Sequence, residues 1–132
     1  MLPLLLETPH LNIADNAPAR WIYADWGGVQ NMTTVQFGGG ELVRLLQAQG
    51  YQKVLNDNTR VTTMWSEAAE WAGREWFPAM YTAGLRYFAW VYPADVYACL
   101  SVDLTLQFVS GGTKIATFGN LPKAQEWLAE QV

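Results

Sequence analysis

A single α/β domain is what this sequence predicts, built on a mixed, mostly parallel sheet with an antiparallel N-terminal edge and helices packed on it. Three observations carry that reading. The chain has 132 residues, 51% apolar and 15% charged, which suits one core-forming domain over 1–132 and excludes a disordered chain. Strand signals follow one another through the first third, as in an antiparallel edge. Beyond it, helix and strand signals alternate, and alternation implies parallel pairing through helical crossovers.

The elements can be justified in order. Pro3 to Glu7 is a short apolar run, and Leu11 to Asp15 alternates apolar with polar side chains, the period of a half-buried strand. Asn16-Ala17-Pro18 marks a turn, and the aromatic and β-branched run Trp21 to Trp26 reads as a third strand closed by Gly27-Gly28. Thr33 and Gln36 have the spacing of a capping box, and Leu42, Leu45 and Leu46 recur at helical spacing. They predict a helix over 34–49 with Gly50 as its C′ residue. Gly38-Gly39-Gly40 weakens its middle by about 1 kcal/mol per glycine, which a helix tolerates where two surfaces pack closely. Tyr51 to Asp57 is the next strand, and Asn58 to Thr63 a polar loop.

A helix follows from about residue 65. With Trp65 at the centre of a wheel, Ala68, Ala69, Ala72, Trp76, Ala79 and Met80 fall on the core side. Glu67, Glu70 and Arg74 fall opposite, Trp71 and Phe77 lie on the flanks, and Pro78 is expected to kink or end the helix near Phe77. Leu85 to Tyr92 is nearly all apolar, as befits a strand covered on both faces, and Pro93 suits the first turn of a helix. Residues 97–108 fit two periods: Leu100, Val102, Leu104, Leu106 and Phe108 alternate like a strand, while Tyr97, Leu100, Leu104 and Phe108 form a helical stripe. Lys114 to Phe118 is a short strand. Asn120 caps a last helix with Pro122 near its start and Ala124, Trp127 and Leu128 as its buried stripe.

Charge and rare residues exclude several functions. Eight basic against twelve acidic residues give a net charge of −4, and no basic cluster offers the footprint that nucleic acid or an anionic membrane requires. One cysteine, Cys99, and one histidine, His10, make neither a disulfide nor a Cys/His zinc site, so no metal or cofactor is expected. Cys99 reads as a small buried hydrophobe. Met1 to Leu6 lacks the basic and small-residue features of a secretory leader, and no stretch is apolar for long enough to span a bilayer. The expected location is the cytoplasm.

Several stretches resemble a bacterial group of small STAS-like proteins. They are Leu55-Asn56-Asp57-Asn58-Thr59, the run from Trp65 to Pro78, Ala83 to Val91, Trp26-Gly27, and the ending Phe118-Gly119-Asn120 with Ala124 and Trp127-Leu128. The resemblance covers nearly the whole chain. It implies the fold of anti-sigma-factor antagonists, shared in outline with CRAL-TRIO lipid-carrying domains, and it favours a helix for residues 94–108. Regulatory members of that family carry a phosphorylatable serine in an Asp-Ser-(Ser/Thr)-Gly turn. The matching region here is Met64-Trp65-Ser66-Glu67, without the preceding Asp and with Glu67 in place of the glycine. A phospho-serine switch at Ser66 is therefore not expected.

The candidate binding residues are Asp57, Asn58, Thr59, Thr62, Thr63, Trp65 and Ser66, where a parallel strand ends and a helix begins. That crevice is the usual ligand position in open α/β sheets, although turns and caps call for the same residue types. No catalytic set emerges: Ser66, Ser101 and Ser110 have no histidine suited to activate them, and the glycine triplet lacks the spacing of a nucleotide loop. Arg60 and Arg86 are isolated. Trp71 and Phe77, at the edges of the helix, are candidates for a homodimer interface. The expectation is a non-catalytic STAS-like interaction or regulatory module with a protein partner or itself. The alternative is a small apolar-ligand or lipid-binding protein, and an enzyme using Asp57 ranks third.

Overall fold

The computed structural model describes residues 1–132. The elements are β1 (Leu4–Glu7), β2 (Leu11–Asn16), β3 (Trp21–Gly28), α1 (Met32–Gln49), β4 (Lys53–Val61), a composite helix α2 over 66–82, β5 (Tyr87–Val91), α3 (Val96–Phe108), β6 (Lys114–Phe118) and α4 (Leu121–Glu130). The six strands form one sheet in sequence order. The pairs β1/β2 and β2/β3 are antiparallel, and β3/β4, β4/β5 and β5/β6 are parallel. This is the expected mixed α/β sheet with an antiparallel N-terminal edge.

The strand order dictates where the helices go. Three successive crossovers step in one direction across the sheet, and crossovers of one hand then lie on one face. Accordingly α1, α2 and α3 bury Leu42, Leu46, Trp76, Phe77, Met80 and Val102 against Ile22, Trp26, Val54, Phe88 and Trp90. The last helix crosses to no further strand and covers the other face, where Ala124 and Leu128 meet Trp21, Leu55, Ala89 and Val91.

The glycine triplet lets α1 lie close to its neighbours. A Cβ on Gly38 would stand 2.6 Å from Trp26 and 2.8 Å from Leu11. The Gly39 carbonyl accepts the Trp76 indole N–H at 2.9 Å. The cap of α1 lies two residues before the expected capping pair: Asn31 and Thr34 form the reciprocal box, because Asn31 is the last extended residue and its short carboxamide reaches Thr34 N.

Four expectations are corrected. First, the stretch Asn58 to Val61 is strand and not loop, since β3 and β4 run on together beyond β5, with Gly27 opposite Arg60 and Gly28 opposite Val61 after a bulge. Second, α2 neither stops nor stays regular before Pro78. It starts as a 3₁₀ turn (Ser66–Ala68), passes through a π turn (Ala72–Trp76) and continues as α-helix through Phe77–Thr82. The π turn inserts an extra residue, marked by Phe77 N donating to Ala72 O. The helix face rotates there, so Phe77 is buried at 2% exposure while Ala79 turns to solvent. Third, residues 96–108 are helical, but the buried stripe is Ala98, Ser101, Val102 and Thr105, which leaves Tyr97 and Leu100 exposed. Its start is capped by Asp95 rather than set by Pro93. Fourth, Cys99 is half-buried, its thiol against the Pro93 carbonyl. No helix is long and apolar enough to cross a membrane.

Candidate functional site

The site is a pocket at the carboxyl ends of β3, β4 and β5, under the first turns of α1 and beside α2. Its walls are Trp26, Trp65, Trp76 and Trp90, with Gln30, Val35, Asn56, Asn58 and Val61. The closed space at its centre is only about 20 Å³, room for roughly one water molecule, so a larger guest enters only by turning a wall side chain aside. Each wall has a local cause. Trp26 and Trp90 project from strands at alternate positions toward the helix face, where their neighbours Ala24 and Phe88 also point. Trp76 lies at the end of the π turn on the core side of α2, its indole N–H held by the Gly39 carbonyl. Trp65 is fixed from both sides: its backbone N–H donates to Ser101 Oγ at 2.8 Å, and its ring stacks on Trp90 with centroids 6.2 Å apart and planes at 21°.

Polar groups inside are few and ordered. The Trp26 indole N–H donates to Asn56 Oδ1 at 2.8 Å, and Asn56 Nδ2 donates to Asn58 Oδ1 at 3.3 Å. Gln30 Nε2 donates to the carbonyls of His10 and Gly27, and its Oε1 accepts from Thr34. Trp90 differs. Its ring is 1% exposed and its Nε1 has no hydrogen-bond partner.

The structure divides the seven candidate residues among different places. Asn58 and Trp65 line the pocket. Asp57 lies between Asn56 and Asn58 in β4, so its side chain leaves through the opposite face of the sheet. There it accepts from Tyr23 Oη at 2.8 Å and from the backbone and hydroxyl of Thr59. Beside them Arg60 pairs with Asp25 at 3.1 Å. Thr62 is exposed, Thr63 accepts from the Gln30 backbone at 2.9 Å, and Ser66 Oγ meets Ser101 Oγ at 3.2 Å. Burial, then the hydrogen bond to Asp57 and the nearby carboxylates, push the Tyr23 hydroxyl well above its ordinary value, with Arg60 opposing. Tyr23 is thus a donor held neutral. Burial, assisted by Asp103 and Asp95, likewise raises the Cys99 thiol, which keeps it protonated and a poor nucleophile.

Sequence reasoning did not pick out Trp26, Gln30, Asn56, Trp76 or Trp90 as site residues. A usable signal was the i, i+2 pair Asn56 and Asn58 at the end of an apolar strand, since two amides on one covered face require partners. The proposed interface residues also lie elsewhere than on an open edge. Phe77 is in the core, and Trp71 is half-buried against α1, where a Cβ on Gly39 would stand 3.2 Å from its ring. No group of three or more His, Cys, Asp and Glu side chains comes together to hold a metal ion. In comparisons with known proteins, no family model and no curated protein matches the chain. Its functional reading therefore rests on the pocket.

Proposed function

We propose that this chain is a non-catalytic binding module of the STAS-like, CRAL-TRIO-related kind that holds a small, largely apolar ligand among its tryptophans. The single observation behind this reading is the pocket itself: four indoles converge on one space at the carboxyl end of the parallel strands, where open α/β sheets bind ligands. The pocket lining is aromatic, apolar and amide, without Ser, Cys, His, Asp or Glu, which supports recognition as its role. Titration of ¹⁵N-labelled protein with two small planar probes, toluene and pyran-4-one, tests the reading. At least one probe is expected to shift the amides of Val35, Asn58, Val61 and Trp65 saturably, and the pocket-filling Val61→Phe is expected to abolish the shifts. If neither probe perturbs these amides, the reading is wrong.

The second reading, a module that docks on a protein, is favoured by one surface. Val96, Tyr97 and Leu100 at the start of α3 are 77%, 70% and 51% exposed, an apolar cluster of the kind interfaces use. A second copy of the chain is the simplest occupant. Sedimentation equilibrium at micromolar concentration is then expected to give a dimer that Leu100→Glu dissociates. A monomeric wild type removes this reading.

A further inference from the structure

The sheet ends on β6, and the outer edge of that strand has unused hydrogen-bonding capacity. β6 pairs with β5 alone, and no strand lies beyond it. Lys114 N donates to Arg86 O and Tyr92 N donates to Phe118 O, with Lys114 opposite Tyr87 and Phe118 opposite Val91. In that parallel register the backbone groups of Lys114, Ala116 and Phe118 face β5. Those of Ile115 and Thr117 face outward. They are two N–H donors and two C=O acceptors, none with a partner in the chain. The opposite edge is guarded and this one is not. β1 carries a register shift between Leu4 and Leu6, the kind of bulge by which an edge strand resists pairing. β6 keeps an unbroken register over all five residues, contains no proline, and has its one charge, Lys114, at its end.

Side chains narrow the choice of occupant. On the α4 layer, Phe118 and Trp127 are half-buried with ring centroids 5.8 Å apart, a ledge beside the edge. Lys114 Nζ lies 6.0 Å from the Trp127 ring and has no carboxylate partner, since the ion pairs use only Arg44, Arg60 and Arg74. On the other layer Ile115 and Thr117 are half-buried. We infer that β6 binds an extended segment of a partner protein as a seventh, antiparallel strand, with β-branched or aromatic side chains along it and a carboxylate opposite Lys114. The backbone dictates the extended form, because a strand presents its donors and acceptors at the spacing of Ile115 and Thr117. Antiparallel pairing is slightly the more stable, and apolar and opposite-charge pairs across the strands add to it. The site is separate from the tryptophan pocket and from the Val96–Leu100 cluster.

The test uses the full chain, ¹⁵N-labelled, and the end-capped peptide Ser-Tyr-Thr-Val-Val-Glu-Ser, whose Tyr-to-Glu core lies opposite Phe118 to Lys114. In the free protein the Ile115 and Thr117 amides are expected to exchange far faster than those of Ala116 and Phe118. With peptide at ten times its Kd both should slow about tenfold, because exchange then proceeds only from the unbound fraction. Proline in place of the peptide's second valine removes the N–H aimed at the Ile115 carbonyl and should weaken binding about tenfold or more. Lysine in place of its glutamate should weaken binding about threefold. Thr117→Pro gives up an outward N–H and no bond to β5, and it should weaken binding as the peptide's proline does. If that variant does not fold, the peptide series decides alone. The inference is overturned if the peptide does not bind, if it shifts amides of the Val96–Leu100 cluster and not of β6, or if the proline or lysine peptide binds equally well. Protection of the Ile115 and Thr117 amides in the free chain that rises with protein concentration also overturns it, since a second copy then occupies the edge.

Discussion

Phe77→Ala is expected to remove about 3–5 kcal/mol of stability, the usual cost of emptying a large aromatic site in a core. Phe77 is 2% exposed, and its ring lies 4.8 Å from Phe88, 5.4 Å from Trp76 and 5.9 Å from Trp90, centroid to centroid. Phe88 and Trp90 project from β5 itself and Trp76 is buried against the sheet, so the space left by alanine has little to collapse into it. Small domains have only about 5–15 kcal/mol in all, so the variant is close to unfolding at ambient temperature. Urea denaturation should show a much lower midpoint with an unchanged slope. Trp71→Glu is the control: its ring is half-buried against α1, and its loss should cost clearly less. A residue at a subunit contact would behave oppositely, with Phe77→Ala altering association and sparing the monomer. An unchanged midpoint for Phe77→Ala contradicts the packing described here.

The misplacement of Phe77 in the sequence reading has one physical source. Stepping 100° per residue assumes an unbroken α-helix, and the wheel holds through Ala72 and as far as Trp76. The π turn then adds a residue, so Trp76 and Phe77 both face inward and Ala79 is displaced to solvent. Nothing in the local pattern W-A-G-R-E-W-F-P announces that turn, although Pro78, which lacks an N–H, is a reason for irregularity nearby. Strand signals were more legible. β5 and β6 are continuous runs in which backbone pairing and side-chain type agree, and β6 falls on the expected residues. The end of β4 was hidden because Asn58, Thr59 and Arg60 look like a loop by composition. They are strand because β3 extends beside them and pairs through its two glycines.

The helix α3 shows the limit of pattern reading from the other side. Its most apolar stripe is not the buried one: Ser101 and Thr105 are fully buried while Tyr97 and Leu100 are exposed. The cause is close approach to α2. A Cβ on Gly73 would stand 2.5 Å from Phe108 Cβ and 2.8 Å from the Thr105 carbonyl, so only small side chains fit along that seam. Thr105 turns its hydroxyl back to the Ser101 carbonyl at 2.8 Å, and Ser101 accepts from Trp65 N. Pairwise steric fit of this kind is a property of two helices together and is not written in either one. The same holds for the pocket. Its four tryptophans come from β3, β5, α2 and the segment just before α2, while the residues flagged by proximity in sequence, Asp57 and Asn58, point to opposite faces.

Alkaline pH is expected to unfold this protein by titrating tyrosines that donate to carboxylates. Tyr23 donates to Asp57, Tyr51 to Asp15 and Tyr92 to Asp103, and each hydroxyl is raised above its ordinary value. For Tyr23 and Tyr92 burial is the largest cause, and for Tyr51 the hydrogen bond to Asp15 is. The sign follows from proton linkage. Below about pH 10 a tyrosine is protonated in both states, and its contribution to stability is fully present. Above it the unfolded chain gives up the proton while the native hydroxyl keeps it, so the unfolded state binds fewer protons and stability falls as pH rises. The limiting slope is about 1.4 kcal/mol per pH unit per tyrosine, and less for a half-exposed ring such as Tyr23, where water screens the carboxylate. The urea midpoint should therefore hold steady up to about pH 9 and drop steeply by about pH 11. Tyr23→Phe separates its share: at neutral pH it should cost about 1–2 kcal/mol, the worth of a hydrogen bond to a charged acceptor, because Thr59 still caps Asp57. Above pH 10 its curve should fall less steeply than that of the wild type. If the two curves fall in parallel across that range, the Tyr23–Asp57 bond is not the linkage that destabilises the fold.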